Sequence, residues 1–175
     1  MEKDDFTAIS LKSEELERLS LLVFINPIEK GVLDCGDRLS ADFFVDPLLF
    51  EAVLRVENYF RPARIRFLEK MVFRLLRYFQ VHASMTLGPA QIKTFANENS
   101  NLSDEQLIRS ALKKIRQIFS LKPKITIGEF GEAYNGAKKY GRLLNLVYQK
   151  IVFDSILSSP SVRNQPPGSR DHQHS

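Results

Sequence analysis

The chain has 175 residues, of which 43% are hydrophobic and 26% charged, the composition of an ordinary folded domain and not of a disordered chain. Its longest apolar run, Leu21 to Ile25, is far short of the roughly 20 residues of a membrane span, its first five residues are acidic where a secretory signal is basic, and Cys35 stands alone. The net charge of +4 divides sharply: residues 1–54 carry five Lys/Arg against twelve Asp/Glu, and residues 55–150 carry eighteen against seven.

In chain order, Ser13 with Glu14 and Glu15 predicts the start of a first helix whose Leu16, Leu19, Leu22 and Val23 share a face. Asn26-Pro27 ends it. Residues 27–40, with Gly31 and Gly36, read as a loop, with a short extended piece at Gly31-Val32-Leu33. Asp46-Pro47 is an N-cap followed by proline at the first helical position, and predicts a helix to about Tyr59 that buries Leu49, Val53, Val56 and Phe60. Arg61-Pro62 opens the longest predicted helix, to about His82, with Ile65, Leu68, Val72, Leu75 and Phe79 inward. Arg66, Lys70, Arg74 and Arg77 form a basic stripe on another face, and Glu69 is the only acid between residues 61 and 97. Ser103 and Gln106 make a capping box for a helix to about Phe119, with Ile108, Leu112, Ile115 and Phe119 inward and a second basic stripe of Arg109, Lys113 and Arg116. Ile125-Thr126-Ile127 reads as extended, Glu129 to Tyr134 as a short helix, Asn135-Gly136 as a turn, and Ala137 to about Leu157 as the last helix. Lys138, Lys139 and Arg142 fall in the first turns of that helix. Residues 159–175, rich in Ser, Pro and Gln, have no apolar pattern and read as a disordered tail.

Residues 70–96 align with 110–136 at a period of 40, so that Leu75 meets Ile115, Phe79 meets Phe119, and Met85-Thr86-Leu87-Gly88 meets Ile125-Thr126-Ile127-Gly128. The fold class expected is therefore mainly α, with two tandem helix-turn-helix, winged-helix-like units and a disordered C-terminal tail. The expected division is an acidic helical segment at 1–60, a basic tandem-unit domain at 61–158, and the tail at 159–175.

Ile125-Thr126-Ile127-Gly128-Glu129-Phe130-Gly131-Glu132, followed by Lys138-Lys139-Tyr140 and Leu144, resembles the C-terminal winged-helix module of the bacterial selenocysteine-specific elongation factor. In that family the module grips an RNA hairpin, and Lys138 and Lys139 stand where it has an Arg-Lys pair. The resemblance covers about 25 residues. Gly131 replaces an RNA-contacting Arg, no wing is evident after the last helix, and the GTP-binding domains are not in this chain. It implies a related module that binds RNA or DNA, without translation-factor activity.

No catalytic constellation stands out. His82 is the only histidine ahead of the tail and Cys35 is remote from it in sequence; no Cys/His cluster has zinc spacing and no phosphate loop is present. Gly128-Glu129-Phe130-Gly131 has the spacing of a backbone-clamping GXXG loop but reads better as a glycine-flexed helix start. The protein is expected not to be an enzyme, to take no cofactor or metal, to insert into no membrane, and to work inside the cell, in cytoplasm or nucleus. The leading reading is nucleic-acid binding, DNA or RNA, through Arg66, Lys70, Arg74, Arg77, Arg109, Lys113, Arg116, Lys138, Lys139 and Arg142, with Tyr78, Tyr134 and Tyr140 as candidates for base stacking. The alternative is a protein-interaction adaptor or complex subunit that docks an acidic partner on the same basic surface. A third arrangement has the acidic N-terminal segment packed over the basic one.

Overall fold

The structure, a computed structural model, describes residues 3–61, 63–79, 84–87, 92–95 and 103–158. It is mainly helical. The helices are α1 (Lys3–Leu22), α2 (Lys30–Phe43), α3 (Pro47–Phe60), α4 (Ala63–Tyr78), α5 (Asp104–Leu121), α6 (Ile127–Asn135) and α7 (Lys138–Ser158). Between α4 and α5, β1 (Ser84–Leu87) and β2 (Ile92–Phe95) pair as an antiparallel hairpin with Ser84 opposite Phe95 and Leu87 opposite Ile92. The expected tail at 159–175 lies outside the described residues. Among the described residues no helix is long and apolar enough to cross a membrane.

Local chemistry sets most boundaries. Asp46 caps α3 by accepting the Leu48 N–H at 2.9 Å, with Pro47 at the first helical position. Ser103 and Gln106 form the capping box of α5. Thr126 and Glu129 form another at α6, so Ile125-Thr126-Ile127 is not extended: Thr126 is the cap and Ile127 the first helical residue. Gly136, at φ 86°, ends α6 in the left-handed conformation that an Asn-Gly turn supplies.

Two N-terminal expectations change. α1 runs through Ser13, which is therefore an interior residue and not a cap. The expected loop at 27–40 is largely α2. Its two glycines are not breakers; Gly36 is where the ring of Phe50 comes so close that a Cβ would lie 2.6 Å from Cε1.

One hydrophobic core joins both halves of the sequence. Leu16, Leu39, Phe50 and Val53 from the acidic segment meet Ile108, Leu112, Phe130, Leu144 and Val147 from the basic one. The division at residue 60 is thus a division of charge and not of packing. The α6–α7 pair is closest, because Gly131 backs onto Gly141, where a Cβ on Gly131 would lie 2.7 Å from the Gly141 Cα.

α4 stands apart from this core. Ile65, Leu68, Val72, Leu75 and Phe79, expected inward, are all exposed, and Phe60 at the end of α3 is half-exposed. Nor does the chain after α4 follow the 40-residue repeat. The alignment sets β1 against the cap of α6 and β2 against its last turn. α5, α6 and α7 are three successive helices joined by short connections. A strand and a capped helix start share the apolar-Thr-apolar-Gly pattern, and Thr126 is pulled into the helical start by Glu129, which the first segment has no counterpart for.

Candidate nucleic-acid interface

The first turn of α7 is fixed by Tyr140. Its ring is buried, and its hydroxyl donates to the Glu57 Oε1 of α3 at 2.8 Å. With Tyr140 inward, Lys138, Lys139 and Arg142 are exposed, and with Glu15 and Leu16 of α1 they line a cavity of about 290 Å³. Lys139 Nζ meets Glu15 Oε1 at 2.9 Å, the one carboxylate among the described residues of that lining. Three cations beside a helix N-terminus, whose free N–H groups carry positive partial charge, repel one another, and an anion relieves the conflict. Glu15 does part of this.

The second basic group lies along α5, on the side facing α2. Arg109 donates from Nε and Nη2 to Glu105 Oε1 at 3.1 and 2.9 Å, and Arg38 of α2 approaches the other oxygen of Glu105 at 3.7 Å. Arg116 sits 5.0 Å from the ring centre of Phe44 and donates to the Phe43 carbonyl at 3.5 Å. Lys113, between them, is exposed. Phe44 closes α2 in the left-handed conformation at φ 53° and is 85% exposed. Arg38 falls in the stretch 27–40 that reads as a loop and Phe44 just beyond it, so neither is marked in the sequence as part of a basic surface.

The two groups share no lining residue: the first is formed by α1 and α7, the second by α2 and α5. Lys114, five residues on from Arg109 and about 140° further round the helix, reaches the other way and donates to the Tyr134 carbonyl at 2.9 Å with its Nζ 4.2 Å from the Tyr134 ring centre. Burial pushes the Lys114 ammonium down, and the Glu57 charge partly restores it. The side chains of Arg66, Lys70, Arg74 and Arg77 lie outside the described residues. The expected sites therefore resolve into a cluster of Lys138, Lys139 and Arg142 and a separate row of Arg109, Lys113 and Arg116.

Among the three tyrosines, only Tyr78 is exposed. Tyr134 and Tyr140 are core residues whose phenols burial pushes upward, so neither offers a face to a base. The amphipathic spacing that places them inward was masked in the sequence by the lysines around them. Glu57, beneath Tyr140, is pushed up to about 7 by burial, against the Tyr140 hydrogen bond and the charges of Lys114 and Arg61.

A wider depression of about 770 Å³ is lined by Lys122, Lys124, Glu129 and Glu132 among others, and Glu129 there is engaged by the Thr126 N–H and hydroxyl, which hold its carboxyl below the usual range. Gly128 to Gly131 is the start of α6 packed on Gly141, a helix and not a phosphate-clamping loop. An arginine has no room at Gly131. Cys35 is half-buried with Arg38 Nη2 at 4.0 Å from its sulfur, and among the described residues no three His, Cys, Asp or Glu side chains converge as metal ligands. His82 lies outside the described residues. Comparison with protein-family models, with curated proteins and with solved structures finds no match in any of the three.

Proposed function

We propose that this protein is a non-catalytic, intracellular nucleic-acid-binding protein that holds the phosphate backbone of DNA or RNA at the start of α7. The observation that carries this reading is the convergence of Lys138, Lys139 and Arg142 on one cavity in which Glu15 is the only carboxylate among the described lining residues. A phosphate there gains Lys138, Arg142 and the free N–H groups of the helix start, and Lys139 where it displaces Glu15. Contacts of this kind set affinity and register without reading sequence. The α5–α6–α7 order supports a helix-turn-helix-like presentation, in which the last helix leads with its N-terminal residues. The row Arg109, Lys113 and Arg116 is a secondary contact in this reading, Arg109 being already engaged by Glu105.

The adaptor reading has one observation of its own: the Lys139–Glu15 pair seats a helix-borne carboxylate in the cavity, as an acidic partner protein would. Affinity for a set of DNA duplexes and RNA hairpins at two salt concentrations separates the two. Changing Lys138 and Lys139 together to Ala is expected to weaken binding and flatten the dependence of log affinity on log salt by ~2 units. Melting should be unchanged, because both side chains are exposed. Failure of the unmodified protein to bind any of these nucleic acids at low salt gives the site to an acidic protein. Equal binding by the double variant moves the contact off α7.

A further inference from the structure

The most unusual surface of the molecule is α4. Phe67, Leu68, Met71, Val72, Leu75 and Phe79 are all between 44% and 69% exposed. At about 100° per residue these positions cover a continuous arc of roughly 140°, and Ile65 extends it to about 160°. Monomeric proteins seldom leave an apolar patch of that extent in water. Something covers it, and the rest of the helix says what.

The polar side of α4 is of one sign. Positions 66, 70, 74 and 77 are Arg, Lys, Arg and Arg, on an arc of about 80° that runs from opposite the centre of the apolar arc to its Phe67 edge, with a phenylalanine at position 73 beside it. The single acid, Glu69, accepts from Arg61 Nη1 at 2.9 Å and is already neutralised. The core helices have no such bias: Glu51 faces Arg55 on α3, and Glu105 faces Arg109 on α5. A helix covered by a second copy of this chain has no use for a one-signed outer face. Position 64, an arginine, also falls inside the apolar arc at the first turn. A cation there is costly in a dry protein interface but tolerable beside headgroups, to which a long side chain can extend.

We propose that α4 is an interfacial helix that lays its exposed apolar face onto an anionic membrane surface, in the plane of the bilayer, with its arginines and lysine at the headgroup phosphates. A wide apolar face bearing Phe and Leu, backed by a Lys/Arg face, is the arrangement such helices share. The length argument from the sequence bears on spanning and not on lying in the interface, so no span is implied. The core of α1–α3 and α5–α7 stays in water.

The test is co-sedimentation of the full chain with phosphatidylcholine vesicles, with and without phosphatidylserine at about a third of the lipid. Binding is expected to the anionic vesicles and to be at least tenfold weaker to the neutral ones, since each Lys or Arg near such a surface contributes about fivefold. Leu68→Glu with Leu75→Glu should abolish vesicle binding while leaving the melting curve in place, because neither side chain is buried. Changing Arg66, Lys70, Arg74 and Arg77 to Gln should remove the preference for phosphatidylserine. The proposal is overturned if the unmodified protein ignores anionic vesicles, or if the Leu68/Leu75 variant binds them as well as before. It is also overturned if that variant instead splits a stable dimer seen by analytical ultracentrifugation, which would make a second copy the occupant.

Discussion

Glu57 is the residue whose surroundings most shape the behaviour of the protein in solution. It is 3% exposed, bonded to Tyr140, and raised from the ordinary 4.5 to about 7 by burial. The folded protein therefore keeps this proton up to about pH 7, whereas the unfolded chain releases it near 4.5. Between those values the folded state binds more protons, so stability falls as pH rises through that window and is fully present only below it. Tyr134, Lys114 and Arg61 also face the group; the two cations lower the shift without cancelling it. The size is on the order of 3 kcal/mol at most, or several degrees of melting temperature for a chain of this length. We expect a higher midpoint at pH 5 than at pH 8, and a nearly flat profile for Glu57→Gln, which keeps an acceptor for Tyr140. An unmodified protein that melts higher at pH 8 would show that Glu57 is ionised throughout. No sequence signal marked this residue: Glu57 looks like any helical glutamate until Tyr140, 83 residues later, is packed above it. The lysines of the candidate interface were legible, by contrast, because exposure and charge at a helix start follow from local pattern alone.

At the scale of elements, the sequence was most readable where a cap names a boundary. Asp46-Pro47, Ser103 with Gln106 and Asn135-Gly136 all lie where their chemistry puts them. It was least readable at α2, where two glycines outweighed the helical spacing of Leu33, Gly36 and Ser40. Those glycines now make opposite predictions. Gly31 has nothing within 4 Å of a would-be Cβ, so Gly31→Ala should stabilise by a few tenths to about 1 kcal/mol through helix propensity. At Gly36 a Cβ would lie 2.6 Å from the Phe50 ring, so Gly36→Ala should destabilise by about 1–3 kcal/mol through overpacking. Urea denaturation of both variants checks the pair. Destabilisation by both would mean that α2 begins later than Lys30; tolerance of Ala at position 36 would mean that Phe50 moves freely. The 40-residue repeat misled for a related reason. Apolar-Thr-apolar-Gly is compatible with a strand and with a capped helix start, and only the residue three places on decides between them.

Across the whole molecule, what the sequence presented as an acidic half and a basic half is one core with an outlying helix. Charge and packing follow different lines, which is why the division at residue 60 was legible as composition and misleading as architecture. Leu16, Leu39 and Phe50 share a core with Leu112, Phe130 and Val147, so α1–α3 and α5–α7 should unfold together. No described residue of α4 belongs to that core, and its apolar face stays exposed beside the other described residues. In water α4 is held by its own backbone hydrogen bonds, the Arg61–Glu69 pair and its packing on β1. A sixteen-residue helix with so little tertiary support is marginal. Its amides should therefore open locally, at a free energy well below that of global unfolding. Hydrogen exchange followed by mass spectrometry is expected to show peptides from 65–78 exchanging at least about tenfold faster than those from 49–58 in α3 and 140–151 in α7. Adding phosphatidylserine vesicles should slow exchange in α4 and leave α3 and α7 unchanged, because only α4 gains a covered face. Equal protection of α4 and α7 without lipid would place α4 in the same cooperative unit as the core. Slowing spread evenly over all three helices would show that lipid stabilises the fold as a whole and does not settle on α4.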